Sequence, residues 1–406
     1  MCRYCLFRTL LTHPFTMIPP LRFKFATNAF SDFWKYEDGK KMLAELNEIP
    51  SLSQAENYIP LLFKVDSIAD DVIAECFRDK SFGMAMQPVM DYAAGKVPLH
   101  EAPESVQRLL NSMYEVPDWL NSDKLELGRE LCNRSGKSGL IVLRNYSLML
   151  GYQSAAINKP LIATGALHSG AVKRIADTTN FWYAVTGTNA LAPNSDGFLY
   201  CLKTRLVHSY SRVMIKEKLD WDVADHAEPL NLWDMQATYL GFSLVFMRGL
   251  KNLGFTISEA ETEAMYHLWK YIGYLIGIPA EIMPDTNKDA IRNLYLWSKT
   301  QPEADADSIA LAQALHQEPL QAPWPKMRWQ KRIIQQVNLA FNYHLIGDRS
   351  CAVLQLPKSK FRNFVRIVVR SNKMDQKITD AFPKYRKKQI RKGRAEQLII
   401  RNRVNS

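Results

Sequence analysis

The stretch Ser195-Asp-Gly-Phe-Leu-Tyr-Cys-Leu-Lys-Thr-Arg205-Leu-Val-His208-Ser-Tyr-Ser-Arg212-Val-Met-Ile215 decides how this chain is read. Pro193 and Asn194 precede it, a stop signal followed by a cap-type residue, so the sequence predicts a helix opening near Ser195. Phe198, Leu199, Leu202, Leu206, Val207, Tyr210, Val213 and Met214 surround most of its circumference, which predicts burial on most sides. Arg205, His208 and Arg212 recur at intervals of three and four and share one stripe. Arginine does not shed its proton, so two of them on a buried helix require anionic partners. The histidine between them requires a partner as well.

Two kinds of partner meet that demand. Protein carboxylates and a hydrogen-bonded histidine are the ordinary solution. The other is one ligand, a haem, with iron on the imidazole and carboxylate-bearing propionates on the guanidinium forks of Arg205 and Arg212. Spacing alone leaves both open.

An earlier segment reads Arg174-Ile-Ala-Asp177-Thr178, followed by Phe181 and Trp182. With Arg205-Leu-Val-His208 it resembles the paired signature of the latex-clearing protein and MpaB-type oxygenase family. Weaker echoes are Val116-Pro-Asp-Trp119, Gly128, Leu161-Ile-Ala-Thr164-Gly165 and Trp269-Lys-Tyr-Ile-Gly-Tyr-Leu-Ile-Gly-Ile-Pro279. The similarity spans about residues 110 to 355. In that family an Arg-x-x-x-Thr helix faces a helix whose histidine is the proximal ligand of a b-type haem. The resemblance therefore implies haem iron on His208, with Thr178 offering a hydroxyl and Arg174 a fixed positive charge on the haem side. An ion pair between Arg174 and Asp177 is the plain alternative.

The chain departs from the rubber-cleaving members at two places. They carry a lysine directly before the motif threonine, where this chain has Asp177, and a glutamate some twenty residues earlier, which ungapped counting places at Asn158. Asparagine cannot take up a proton as a general base. Asp177 is the candidate to replace it if it points inward. The resemblance implies a haem-dependent oxygenase that uses dioxygen on a prenylated or other long unsaturated apolar molecule. A haem-binding protein without oxygenase turnover, and a basic-tailed binding module without haem, are the competing readings.

Composition sets wider bounds. The 406 residues are 47% hydrophobic and 23% charged, ordinary for a globular chain. The six cysteines form no disulfide framework, and reduced thiols in the cytoplasm are expected. Cys2 and Cys5 form a lone pair with no second pair or histidine box to complete a metal site. Residues 358–406 hold 16 Lys+Arg against 3 Asp+Glu, a net +13 where the whole chain is +11, so the rest sums to −2. Basicity belongs to the tail, which argues against nucleic acid as a partner of the whole protein; the tail itself suits attachment to an anionic membrane surface or to nucleic acid, or a solvated helix end. No run of about eighteen apolar residues predicts a transmembrane helix. Residues 1–16 resemble neither signal nor element, with Met17 as an alternative start.

Helical spacing recurs over 67–78, 82–94 (with Pro88 as an alternative start), 125–132, 140–156, 173–185, 231–250, 258–276, 288–298, 307–316 and 325–345, and strand-like alternation is nearly absent. The fold class is all-α, one large multi-helix domain, and the resemblance adds a globin-like helical core. The expected division is an N-terminal arm over 1–50, a haem-binding oxygenase domain over 51–357 and a basic helical tail over 358–406. Of the other histidines, His267 and His344 are expected as satisfied core residues, and His168 is the reserve ligand.

Overall fold

Ser258 and Glu261 show how directly local chemistry sets this fold. The Ser258 side chain accepts from the Glu261 N–H while Glu261 reaches back to the Ser258 N–H, and the Glu259–Leu275 helix starts there. Asp66, Asn121, Ser154, Asn231, Thr286 and Asp305 cap other helices through one such bond each. A computed structural model describes residues 18–25 and 27–405, apart from the side chains of residues 166–169 and 383. The expectations for Cys2, Cys5, the 1–16 leader, Met17 and the His168 side chain lie outside the described residues. Those described contain helices and no strand, so the chain is all-α.

The helix carrying His208 runs Asp196–Lys218, as its sequence predicts. The segment Ala166–Val185 carries Arg174 and is kinked at Gly170 (φ 80°), so its regular part begins close to the predicted 173. Pro88 is not a start: the helix opens at Phe82 with Ser81 accepting from the Met84 N–H, and Pro88 lies inside it.

Two stretches predicted as continuous apolar helices are interrupted. Leu143–Leu148 and Gly241–Val245 are π-helical turns, and the Ser147 hydroxyl donates to the Gly241 carbonyl at 2.7 Å, joining one to the other. Such turns widen a helix locally and recur at functional sites.

The termini are built into the body. Arg22 pairs with Asp234 at 2.7 Å and the Trp34 indole donates to Ser298 at 2.7 Å, which anchors the N-terminal arm. The tail is helical and packs on the body. Its helices, Arg362–Ala381 and Pro383–Val404, pack on the Ser122–Arg134 helix. Arg394 lies 3.3 Å over the Tyr183 ring and donates to the Tyr183 carbonyl, while Gln397, fully buried, donates to the Cys132 carbonyl. A β-carbon at Gly393 would collide with the Asn133 carbonyl, so only glycine lets the tail helix approach so closely. Arg386, Arg394 and Arg401 turn onto the protein itself, while most of the tail's other Lys and Arg side chains stay exposed.

Candidate functional site

The arginines of the His208 helix find protein anions. Asp66, which caps the Ser67–Cys76 helix, receives Arg205 through Nε at 2.6 Å and Nη2 at 3.0 Å. One turn later Asp70 receives Arg212 through Nη2 at 2.5 Å and Nε at 3.0 Å, and also the Ser209 hydroxyl. Carboxylates four residues apart thus face donors at 205, 209 and 212, a ladder between two helices. Of the two kinds of partner the sequence leaves open for Arg205 and Arg212, propionates or protein carboxylates, the described residues supply the second: Asp66 and Asp70 fill their forks, and neither arginine lines the large cavity. A buried guanidinium takes the nearest fixed carboxylate, because leaving either charge alone is costly.

His208 lies one helical position away from this ladder and lines a cavity of about 1170 Å³. Protein surrounds the ring, and its accessible surface is that of the cavity wall. Burial pushes its pKa down to about 4, Arg212 pushes the same way and Asp66 opposes them, so the imidazole is neutral at physiological pH. Nδ1 is buried with no hydrogen-bond partner. Among the described residues Nε2 has none either, and it is not shut off from the cavity. A neutral imidazole with a spare lone pair toward an apolar space is suited to bind a metal held in a ligand.

The opposite walls come from the Arg174 helix, the two π-helical turns and Trp269. Arg174 donates to the buried Tyr152 hydroxyl at 2.6 Å; the pair with Asp177 does not form. Asp177 is exposed, pairs with Lys173 at 2.5 Å and lies at the rim of the cavity. Thr178 lines the cavity and its hydroxyl has no partner among the described residues. Asn158 is fully buried; its amide nitrogen donates to the Tyr152 carbonyl and to Ser308, each at 3.0 Å, which leaves its oxygen unpartnered on the wall.

Sequence reading missed three wall residues. Lys203 lies on the cavity side of the His208 helix with no carboxylate beside it; its spacing of four to Val207 was the available signal. Arg144 and Glu318 form a buried ion pair at 2.9 Å, which nothing local announces across 174 residues. The other histidines are occupied or remote. His267 accepts from the Asn121 N–H at 2.9 Å, as expected of a satisfied residue. His344 hydrogen-bonds the Asn252 carbonyl but is exposed, not core.

Comparison with known proteins places this arrangement. Residues 139–370 match the family described as the ER-bound oxygenase mpaB/B′ and rubber oxygenase catalytic domain, beginning and ending later than the 110 to 355 expected. A rubber oxygenase of Streptomyces sp. (strain K30) is 25% identical over 188 residues, 45% of this chain and 46% of the relative, so the similarity spans about half the relative's length. A solved structure of latex clearing protein in its closed state superposes with a TM-score of 0.62 at 18% identity, covering 83% of this chain and 91% of that one. At that identity the superposition speaks for the helical fold. With more than half its length matched, this chain belongs to the mpaB and rubber oxygenase catalytic-domain family.

Proposed function

We propose that the protein is a haem b-dependent oxygenase that uses dioxygen on an unsaturated, isoprenoid-like apolar molecule. The observation that carries this is His208: a neutral ring with an unpartnered nitrogen on the wall of a large, mainly apolar cavity. The residues fit the group. His208 would ligate iron through Nε2. Lys203 is a wall cation suited to a carboxylate arm, and Thr178 and Arg174 line the same space. A volume of about 1170 Å³ exceeds the roughly 300–1,000 Å³ of ordinary single-ligand sites, which supports a macrocycle and a substrate together. Haem bound there supplies the iron that activates dioxygen. The chain's own contribution is to hold the macrocycle, orient an apolar chain against Ile157, Leu161, Phe181 and Phe242, and keep water out.

Asn158 favours a second reading, haem binding without oxygenase turnover, because its amide cannot accept a proton as the relatives' glutamate does. Glu318, held by Arg144, is a buried wall carboxylate with one oxygen outside that ion pair. We also place the protein in the cytoplasm, touching anionic membrane peripherally through the exposed Phe364, Ile367, Met374 and Ile378 and the neighbouring Arg366, Arg370 and Lys377. No helix among the described residues is long and apolar enough to cross a membrane.

An absorbance spectrum of the purified protein, before and after dithionite, tests the haem reading: a Soret band is expected, and a colourless folded protein grown with haem precursor overturns it. His208→Ala should lose the band while His267→Ala and His344→Ala keep it. Oxygen consumption with an isoprenoid then separates turnover from passive binding.

A further inference from the structure

Beside His208 lies a second, small cavity of about 10 Å³, which shares His208, Leu230, Met235 and Ile276 with the wall of the large one. Its polar lining is His208, Asp66, Arg205 and Arg212; the rest is apolar, closed by Gly277. That size approaches the roughly 10–15 Å³ at which a cavity holds one water, and a buried water needs two to four polar partners. The buried, unpartnered Nδ1 belongs to this same ring. Arginine only donates, so Asp66 is the carboxylate acceptor in the lining.

We infer that one structural water sits here, accepting the Nδ1–H of His208 and donating to the Asp66 carboxylate, and that Asp66 is thereby the positioning residue for His208. A proton held on Nδ1 leaves the lone pair on Nε2, which is the nitrogen open to the large cavity. The inference rests on the reading of His208 given above, and it adds a residue that the family match does not reach, since Asp66 lies well before residue 139. It also gives the Arg205–Asp66 pair a second task. The pair fixes the carboxylate in one orientation, because Arg205 holds both of its oxygens.

The test is made on the full-length, cofactor-free chain, so its outcome does not depend on whether haem binds. With nitrogen-15-labelled histidine, the NMR spectrum at pH 7 should show His208 as the neutral Nδ1–H tautomer. Asp66→Asn should shift the ring toward the Nε2–H tautomer. Asp66→Leu combined with Arg205→Met removes the ion pair as a unit, leaves no lone buried charge, and should do the same. An Nε2–H tautomer in the wild type, or an unchanged tautomer in both variants, overturns the proposal. A high-resolution crystal structure of the wild type decides independently of any variant: an ordered water within hydrogen-bond distance of Nδ1 and Asp66 supports it, and a cavity with no density or a side chain filling it overturns it.

Discussion

Gly277 lies so close to the Asp66 carboxylate that a β-carbon on it would collide with the Asp66 oxygen, and its φ of +89° is a left-handed conformation. The turn that ends the Glu259–Leu275 helix therefore closes over the ion pair beside His208. Gly277→Ala carries both a backbone penalty and a clash, and should cost about 1–3 kcal/mol or more. Urea unfolding reads the loss; a change below a few tenths of a kcal/mol would mean that the turn relaxes freely.

The Asp70–Arg212 rung tests whether the ladder acts as a unit. Arg212 is 3% exposed at its side chain, so Asp70→Ala leaves a buried guanidinium without its carboxylate and should destabilise by about 3–5 kcal/mol. Replacing both, Asp70→Leu with Arg212→Met, should recover most of that. A double-mutant cycle with a coupling near zero would contradict the pairing.

Acid should weaken the cofactor-free protein before its carboxylates protonate. Burial pushes His208 and His316 each down to about 4 from 6.5, with Arg212 and Arg144 respectively adding to the shift. Between pH 6.5 and 4 the unfolded chain binds more protons than the folded one, so stability is full above 6.5 and falls as pH drops through that window. For either histidine the loss is on the order of 3 kcal/mol once pH reaches 4. Denaturant midpoints from pH 7 to 4.5 check this, and His316→Gln should flatten the slope.

Lys203 faces the cavity from the His208 helix without a carboxylate partner. Lys203→Gln should speed haem loss to an acceptor protein about tenfold, equivalent to about 1.4 kcal/mol. Lys216→Gln, on the same helix but paired outside the cavity with Glu228, should leave haem transfer unchanged.

The sequence by itself determined what is local. Periodicity and caps placed the His208 helix, and charge chemistry required anions for Arg205 and Arg212. It could not show that these anions were Asp66 and Asp70, 139 and 142 residues away, because nothing in a helix's own pattern names its neighbour. The π-helical turns were illegible for a related reason: Leu143–Leu148 and Gly241–Val245 continue apolar helical patterns, and a bond between Ser147 and Gly241 joins the two from different helices. Only the tertiary structure decided which way the stripe faces. Residues three and four apart differ in direction by tens of degrees around a helix axis, and that offset turns Arg205 and Arg212 toward the Ser67–Cys76 helix while His208 meets the cavity.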